Sequence, residues 1–295
     1  RAASAGVSSP AGPCGPAFAI PFSEGATQFA YCDGSQPVYQ AEISAPAAYR
    51  GTLTDLAAGG PRYDLNGLRS GIFRVSKPST VWELAPLETS FQATAVLNAA
   101  SFQPDFSPGA AISVFGLGLA KTGIPTTVEV GGREAQVLFA TPFQLNAALP
   151  LDLPPGSWPL RITSAYGAAE AQIDVRDAAP AIFRLSDSLA AVTNQDASIN
   201  APNNPAARGQ VIVAYGTGFG SVQAAQGALR RTATPVTARL AGVDLNVVYA
   251  GLTPGSIGLY QINIQLPANL PPGLFQSLEI TQGGVTANPV PVAIH

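Results

Sequence analysis

The sequence predicts an all-β protein: tandem immunoglobulin-like β-sandwiches preceded by a small disulfide-containing β-domain. Three observations carry that reading. Apolar residues alternate with polar or small ones over short runs bounded by turn residues, the period of a half-buried strand. Glycine (30) and proline (27) are abundant while charged residues make up 11% of the 295, against roughly 25% in ordinary soluble domains. One strand-and-turn unit occurs twice, as Phe143-Gln144-Leu145-Asn146-Ala147-Ala148-Leu149-Pro150-Leu151-Asp152-Leu153-Pro154-Pro155-Gly156 and as Tyr260-Gln261-Ile262-Asn263-Ile264-Gln265-Leu266-Pro267-Ala268-Asn269-Leu270-Pro271-Pro272-Gly273. Both end in Pro-Pro-Gly, which forces a turn because neither proline can donate to a ladder.

In chain order, residues 1–16 form an extended arm of Ala, Ser, Gly and Pro with almost no apolar bulk. Such an arm takes up order only against a partner, and a neighbouring subunit is the expected one. Residues 17–91 read as a small amino-terminal β-domain. Its candidate strands include 17–22, 29–32, 37–43, 49–54, 71–75 and 80–84, with Asn66-Gly67 suited to a tight turn. Cys14 and Cys32 flank a loop that cannot build a core, and a disulfide is the natural reading. It would stabilise this segment by about 3 kcal/mol in the chain-entropy model and would persist outside the cytosol. Two unrelated buried thiols are the alternative.

Residues 92–185 and 186–295 read as homologous sandwiches, each near the size of an immunoglobulin-like domain. Ile112-Ser113-Val114-Phe115-Gly116-Leu117-Gly118 matches Ile212-Val213-Ala214-Tyr215-Gly216-Thr217-Gly218. Further on, residues 127–132 match 237–242, 136–140 match 246–250, and 160–163 match 278–281. The connection at 178–185 is short and apolar, so the two domains are expected to touch at a fixed angle.

Residues 186–295 resemble the Solibacter-type C-terminal domain found at the ends of secreted acidobacterial proteins. The resemblance rests on Ala179-Pro180-Ala181-Ile182-Phe183, Ala201-Pro202-Asn203-Asn204-Pro205-Ala206-Ala207-Arg208-Gly209, Tyr215-Gly216-Thr217-Gly218-Phe219-Gly220, Val248-Tyr249-Ala250-Gly251-Leu252-Thr253-Pro254-Gly255 and Gly258-Leu259-Tyr260-Gln261-Ile262-Asn263. Residues 92–185 are similar more loosely, and the amino-terminal third is not covered. The family implies export and a β-sandwich. It brings no catalytic residues.

Several function classes are disfavoured. A net charge of -3 with two lysines, Lys77 and Lys121, offers no basic surface for nucleic acid. No window of about 20 residues stays apolar without Pro, Gly or charge, so no membrane span is expected. The only histidine is His295, so a catalytic triad lacks a base. Asp152, Asp174, Asp177, Asp187, Asp196 and Asp244 are scattered singly, and no cofactor or metal is expected. Gly216-Thr217-Gly218-Phe219-Gly220 lacks the Lys-Ser/Thr of a phosphate loop, and a β-turn is the better reading. Tyr166, Tyr215, Tyr249, Tyr260 and Trp158 could stack on sugars. Because aromatics recur at equivalent places (Phe115 with Tyr215, Phe139 with Tyr249, Phe143 with Tyr260), core packing is the expectation. An isopeptide bond from Lys77 or Lys121 has no local support.

The start Arg1-Ala2-Ala3, without methionine, is what a mature form leaves after removal of a signal peptide; a trimmed form gives the same start. The reading that follows is a non-enzymatic extracellular structural protein, a subunit of a self-assembling filament or surface layer. A homopolymer would form by β-strand addition, donated by Ala17, Phe18, Ile20 and Phe22 or by Val290, Val292 and Ile294. The alternative is a monomeric adhesion or carbohydrate-binding module, with surface polysaccharide or another cell-surface protein as partner.

Overall fold

The computed structural model describes residues 89–295 except positions 122 and 228, and, before residue 89, the backbone of seven strands. These are β1 (Ala19–Pro21), β2 (Thr27–Asp33), β3 (Gln36–Tyr49), β4 (Gly51–Asp55), β5 (Arg62–Asp64), β6 (Leu68–Val75) and β7 (Trp82–Pro86). They form antiparallel sheets of order β1-β2-β3-β6 and β5-β4-β7 within a compact unit, residues 1–89. Cys32 lies on β2 as a backbone position and Cys14 lies outside the described residues, so the expected disulfide does too. Among the described residues no helix is long and apolar enough to cross a membrane.

The second unit, Ser90–His295, holds both sandwiches. In the first, β8 (Ser90–Asn98), β9 (Ala111–Leu117), β10 (Thr127–Val130), β11 (Arg133–Ala140), β12 (Gln144–Ala148), β13 (Gly156–Ser164) and β14 (Gly167–Val175) run in the order β14-β13-β10-β11-β12-β9-β8. Alternation decides the faces. On β10, Val128 and Val130 are buried and Thr127 and Glu129 exposed. β11 serves both layers: its start pairs with β10, its end with β12, and a bulge between Val137 and Phe139 turns the strand from one to the other. Val96, Ile112, Val114, Leu145, Leu160 and Ile162 meet between the layers with no exposed surface. Each is worth about 1.5–3 kcal/mol of burial.

The second sandwich repeats the plan with additions. Its strands are β15 (Ala181–Ile182), β16 (Arg184–Ser186), β17 (Leu189–Ala190), β18 (Val192–Thr193), β19 (Val211–Thr217), β20 (Val222–Ala224), β21 (Arg230–Thr232), β22 (Val236–Leu240), β23 (Val243–Leu252), β24 (Tyr260–Gln265), β25 (Gly273–Gln282), β26 (Val285–Thr286) and β27 (Val290–Ile294). The bulge returns on β23 between Val247 and Tyr249. The β10–β11 turn is Gly131-Gly132 and the β22–β23 turn Ala241-Gly242, all four with positive φ, as a two-residue hairpin matched to strand twist requires. The second sandwich begins earlier than residue 186, since β15 already pairs with the end of β19.

The two sandwiches meet through buried polar contacts as well as apolar ones. Thr217 Oγ1 accepts from the Ala111 N–H and donates to the Gly258 carbonyl, both at 2.7 Å. Asn98 Nδ2 donates to the Ala179 carbonyl at 3.3 Å, and Leu151 packs against the second core. A side chain at Gly109 would strike Leu151 and the Tyr260 hydroxyl at 2.5 Å. The joint is therefore packed, as the short connection predicts.

Candidate functional site

The repeated motif lies on β12 and β24. Leu145 and Ile262 point into their cores, and the flanking amides face the other way. Gln144 Nε2 donates to Asn146 Oδ1 at 3.0 Å, and Gln261 Nε2 to Asn263 Oδ1 at 3.3 Å. Adjacent strands add aromatic rings on the same face, because directly opposed residues share one. Phe115 lies opposite Gln144 and Phe139 opposite Asn146. In the second sandwich Tyr215 lies opposite Gln261 and Tyr249 opposite Asn263. The same four-residue arrangement is thus built twice.

The copies differ in what covers them. The β20–β21 hairpin adds to the outer end of β23, with Arg231 paired to Gly251. The Tyr249 hydroxyl is shared between the carbonyls of Leu252 and Arg230, at 3.0 and 3.1 Å, and the Arg231 guanidinium stands 5.1 Å from the ring centroid. Arg231 also donates to the Val248 carbonyl at 3.2 Å. Tyr249 is buried as a result. The connection between β9 and β10 is about half as long and contains no such hairpin. Phe139 is 51% exposed and Phe115 36%. From Gln136 to Ala140, β11 has a strand partner on its β12 side only, among the described residues. A groove of about 410 Å³ opens where β10 leaves β11, lined by Thr126, Thr127 and residues 134–137.

Core packing, expected of all the paired aromatics, holds for Tyr249 and Tyr260 and fails for Phe115 and Phe139. For Phe139 the reason is the missing hairpin. Tyr215, Phe143, Tyr166 and Trp158 are half-buried. Trp158 lies flat over Gly131, where a side chain would come within 2.6 Å of the ring, and Arg133 stands 5.9 Å from the ring centroid. Tyr260 is fully buried, its hydroxyl 2.7 Å from the Gly220 carbonyl, and burial pushes its pKa well above the usual phenol range.

The glycines at 216, 218 and 220 do not form a ligand loop. A side chain there would come within 2.3, 2.0 and 2.3 Å of the carbonyls of Ala181, Ala179 and Asp177, so they make room for the chain entering the second sandwich. The carboxylates stay apart. Asp152 pairs with Arg133 at 3.6 Å and Asp244 with Arg239 at 3.4 Å. Asp196 accepts from the Ser198 hydroxyl and N–H, which hold its pKa below the usual carboxylate range. Among the described residues no group of three metal-ligating side chains occurs.

Of the strand-donor residues, Ile20 falls on β1, an edge strand of its sheet, while Ala17, Phe18 and Phe22 lie outside the described residues. Val290, Val292 and Ile294 require a correction. They are 1% exposed, on β27, which pairs with β25 of their own sandwich. The outer edge of β27 is occupied too. Asn200 accepts from the Ala293 N–H through Oδ1 and donates to its carbonyl through Nδ2, both at 2.8 Å. Ala206 bonds to the Ala293 carbonyl and the His295 N–H. A strand buried on its face and bonded on both edges has little to offer a neighbour.

No family model matches this chain, and no curated protein does. Solved structures similar to it include the surface glycan-binding protein PbSGBP-B from Prevotella bryantii. That match is 12% identical over 68% of this chain and 41% of the other, with a TM-score of 0.25. The Bacteroides ovatus mixed-linkage glucan locus protein SGBP-B, in complex with a heptasaccharide, is 13% identical over 90% and 54%, with a TM-score of 0.33. Domains 5–6 of the S-layer protein SbsC are 13% identical over 70% and 98%, with a TM-score of 0.28. The chain spans about half or less of the two glycan-binding proteins. Likeness at this level identifies no family, and what the site can do is read from its own residues.

Proposed function

We propose that this chain is a non-enzymatic, exported structural subunit of a surface layer or extracellular filament, assembled by β-strand addition, and a member of the Solibacter-type C-terminal domain family. The observation that carries the assembly is the open edge of β11 from Gln136 to Ala140. An unpaired edge is a template for another strand. The second sandwich supports the choice of edge, because β23 takes β21 on that side at Gly251, just past the equivalent stretch. The donor is the amino-terminal stretch containing Ala17, Phe18, Ile20 and Phe22. A contact from the amino-terminal stretch of one copy to β11 of the next is head-to-tail, and such a contact propagates as a filament when its rotation does not close a ring. Among the described residues the carboxylates stand apart, Asp152 and Asp244 each with its own arginine, which supports a role without catalysis.

Light scattering and negative-stain microscopy at rising concentration test this reading. The intact chain is expected to grow beyond the 30.1 kDa monomer. Leu138→Lys and a deletion of residues 1–22 are expected to stay monomeric and folded, since Leu138 is exposed and a lysine on an edge opposes pairing. A 30.1 kDa species at every concentration for the intact chain, or unimpaired assembly by Leu138→Lys, refutes it.

A further inference from the structure

We infer that the outer face of the first sandwich, built by Phe115, Gln144, Asn146 and Phe139, is a binding site for a neutral polysaccharide. This goes beyond the assembly reading and stands without it. The assembly uses main-chain groups along the edge of β11, whereas this site uses side chains standing on the sheet.

The four side chains supply two kinds of contact. The amide pair is fixed by its internal hydrogen bond, which consumes one Gln144 N–H and the Asn146 Oδ1. That leaves Gln144 Oε1 as an acceptor beside Asn146 Nδ2 as a donor, and no described side chain or backbone group bonds either one. A donor and an acceptor on one face of the sheet match the hydroxyls of a sugar, each of which both gives and takes a hydrogen bond. The exposed rings of Phe115 and Phe139 flank this pair. They offer apolar faces to the C–H face of a pyranose, leaving its hydroxyls for the amides.

Spacing and charge narrow the class. Phe115 and Phe139 belong to strands on either side of β12, so they are about 10 Å apart across the sheet and, being opposite residues two apart, about 7 Å apart along it. The resulting diagonal of about 12 Å favours an extended chain of several sugars over a single ring. None of the four side chains is ionisable, so an acidic polysaccharide would bring charge to a face with nothing to pair it. The counterpart in the second sandwich is no second site. Its amides form the same pair, but Tyr249 is buried beneath Arg231, so one of the two platform rings is absent.

Calorimetric titration of the whole 295-residue chain with neutral hexasaccharides of glucose, xylose, mannose and N-acetylglucosamine, and with a hexamer of galacturonic acid, tests the inference. Saturable binding of at least one neutral chain is expected, weakened at least tenfold by Phe115→Ala and by Gln144→Ala. Leu138→Lys, which removes assembly on the reading above, is expected to bind as the parent does. That variant makes failure of the assembly and failure of the site separate results. Unchanged thermal unfolding shows that the alanine variants are folded. No binding of any neutral chain, tighter binding of the acidic one, or equal affinity in both alanine variants overturns the inference. So does loss of assembly instead of sugar binding on Phe115→Ala, which makes the face a contact between copies.

Discussion

Replacing Thr217 with valine tests how firmly the two sandwiches are joined. Its hydroxyl lies at no exposure and completes two bonds of 2.7 Å, from the Ala111 N–H of the first sandwich and to the Gly258 carbonyl of the second. Valine keeps the shape and removes the oxygen. A buried N–H and a buried carbonyl then lose their partner, each costing about 1–3 kcal/mol, so the substitution should cost about 2–5 kcal/mol. Thr217→Ser is the control. It keeps both bonds and loses one methyl, worth about 0.8 kcal/mol. The assay is urea unfolding followed by fluorescence and by far-ultraviolet circular dichroism. A Trp82→Phe background leaves Trp158, in the first sandwich, as the sole tryptophan. The valine variant should show the larger loss, and its two signals should separate as the sandwiches uncouple. If valine costs no more than serine, the bridge does not hold the joint and the reasoning fails.

Four further outcomes follow from contacts elsewhere in the two sandwiches. Gly131→Ala should displace Trp158, because the new methyl would lie 2.6 Å from the ring at a φ of +56°. A loss of about 1–3 kcal/mol and a red-shifted emission are expected. The reciprocal Ala241→Gly, which relieves a residue held at φ +52°, should raise the unfolding midpoint by about 1 kcal/mol in stability. Tyr249→Phe loses the hydroxyl bonds that anchor the β20–β21 hairpin, so trypsin should cleave after Arg230 or Arg231 several-fold faster than in the parent. Finally, burial raises the Tyr260 pKa in the folded state. The fold favours the neutral phenol, so stability is fully present below the unfolded value of about 10 and falls as pH rises beyond it. The thermal midpoint should decline above about pH 10, and Tyr260→Phe should flatten that decline.

Much of the fold was legible because strand period and turn chemistry are local. Gln144-Leu145-Asn146 and Gln261-Ile262-Asn263 announce a strand with one buried face, and the Pro-Pro-Gly that follows each announces the turn. The duplication placed equivalent strands without any structure, and the bulges on β11 and β23 fall at matching positions in the two copies. The Gly-x-Gly of each copy was visible too. Its purpose was not, since the backbone it admits at Gly218 comes from Ala179, a distant stretch of chain.

The candidate site was half legible. Its four residues stand at positions the repeats share, which by sequence argues for packing alike in both. The length difference between the β9–β10 and β19–β22 connections was the available signal that they differ. Likewise Val290, Val292 and Ile294 have the pattern of a strand, and pattern alone cannot say whose sheet it joins.

The sequence by itself determined which segments become strands, where they turn, and that two sandwiches share one plan, because alternation, proline and glycine act within a few residues. Only the tertiary structure decided which faces and edges remain open. Exposure depends on what another part of the chain brings to a surface: the β20–β21 hairpin over Tyr249, its lack over Phe139, and Asn200 closing the edge of β27.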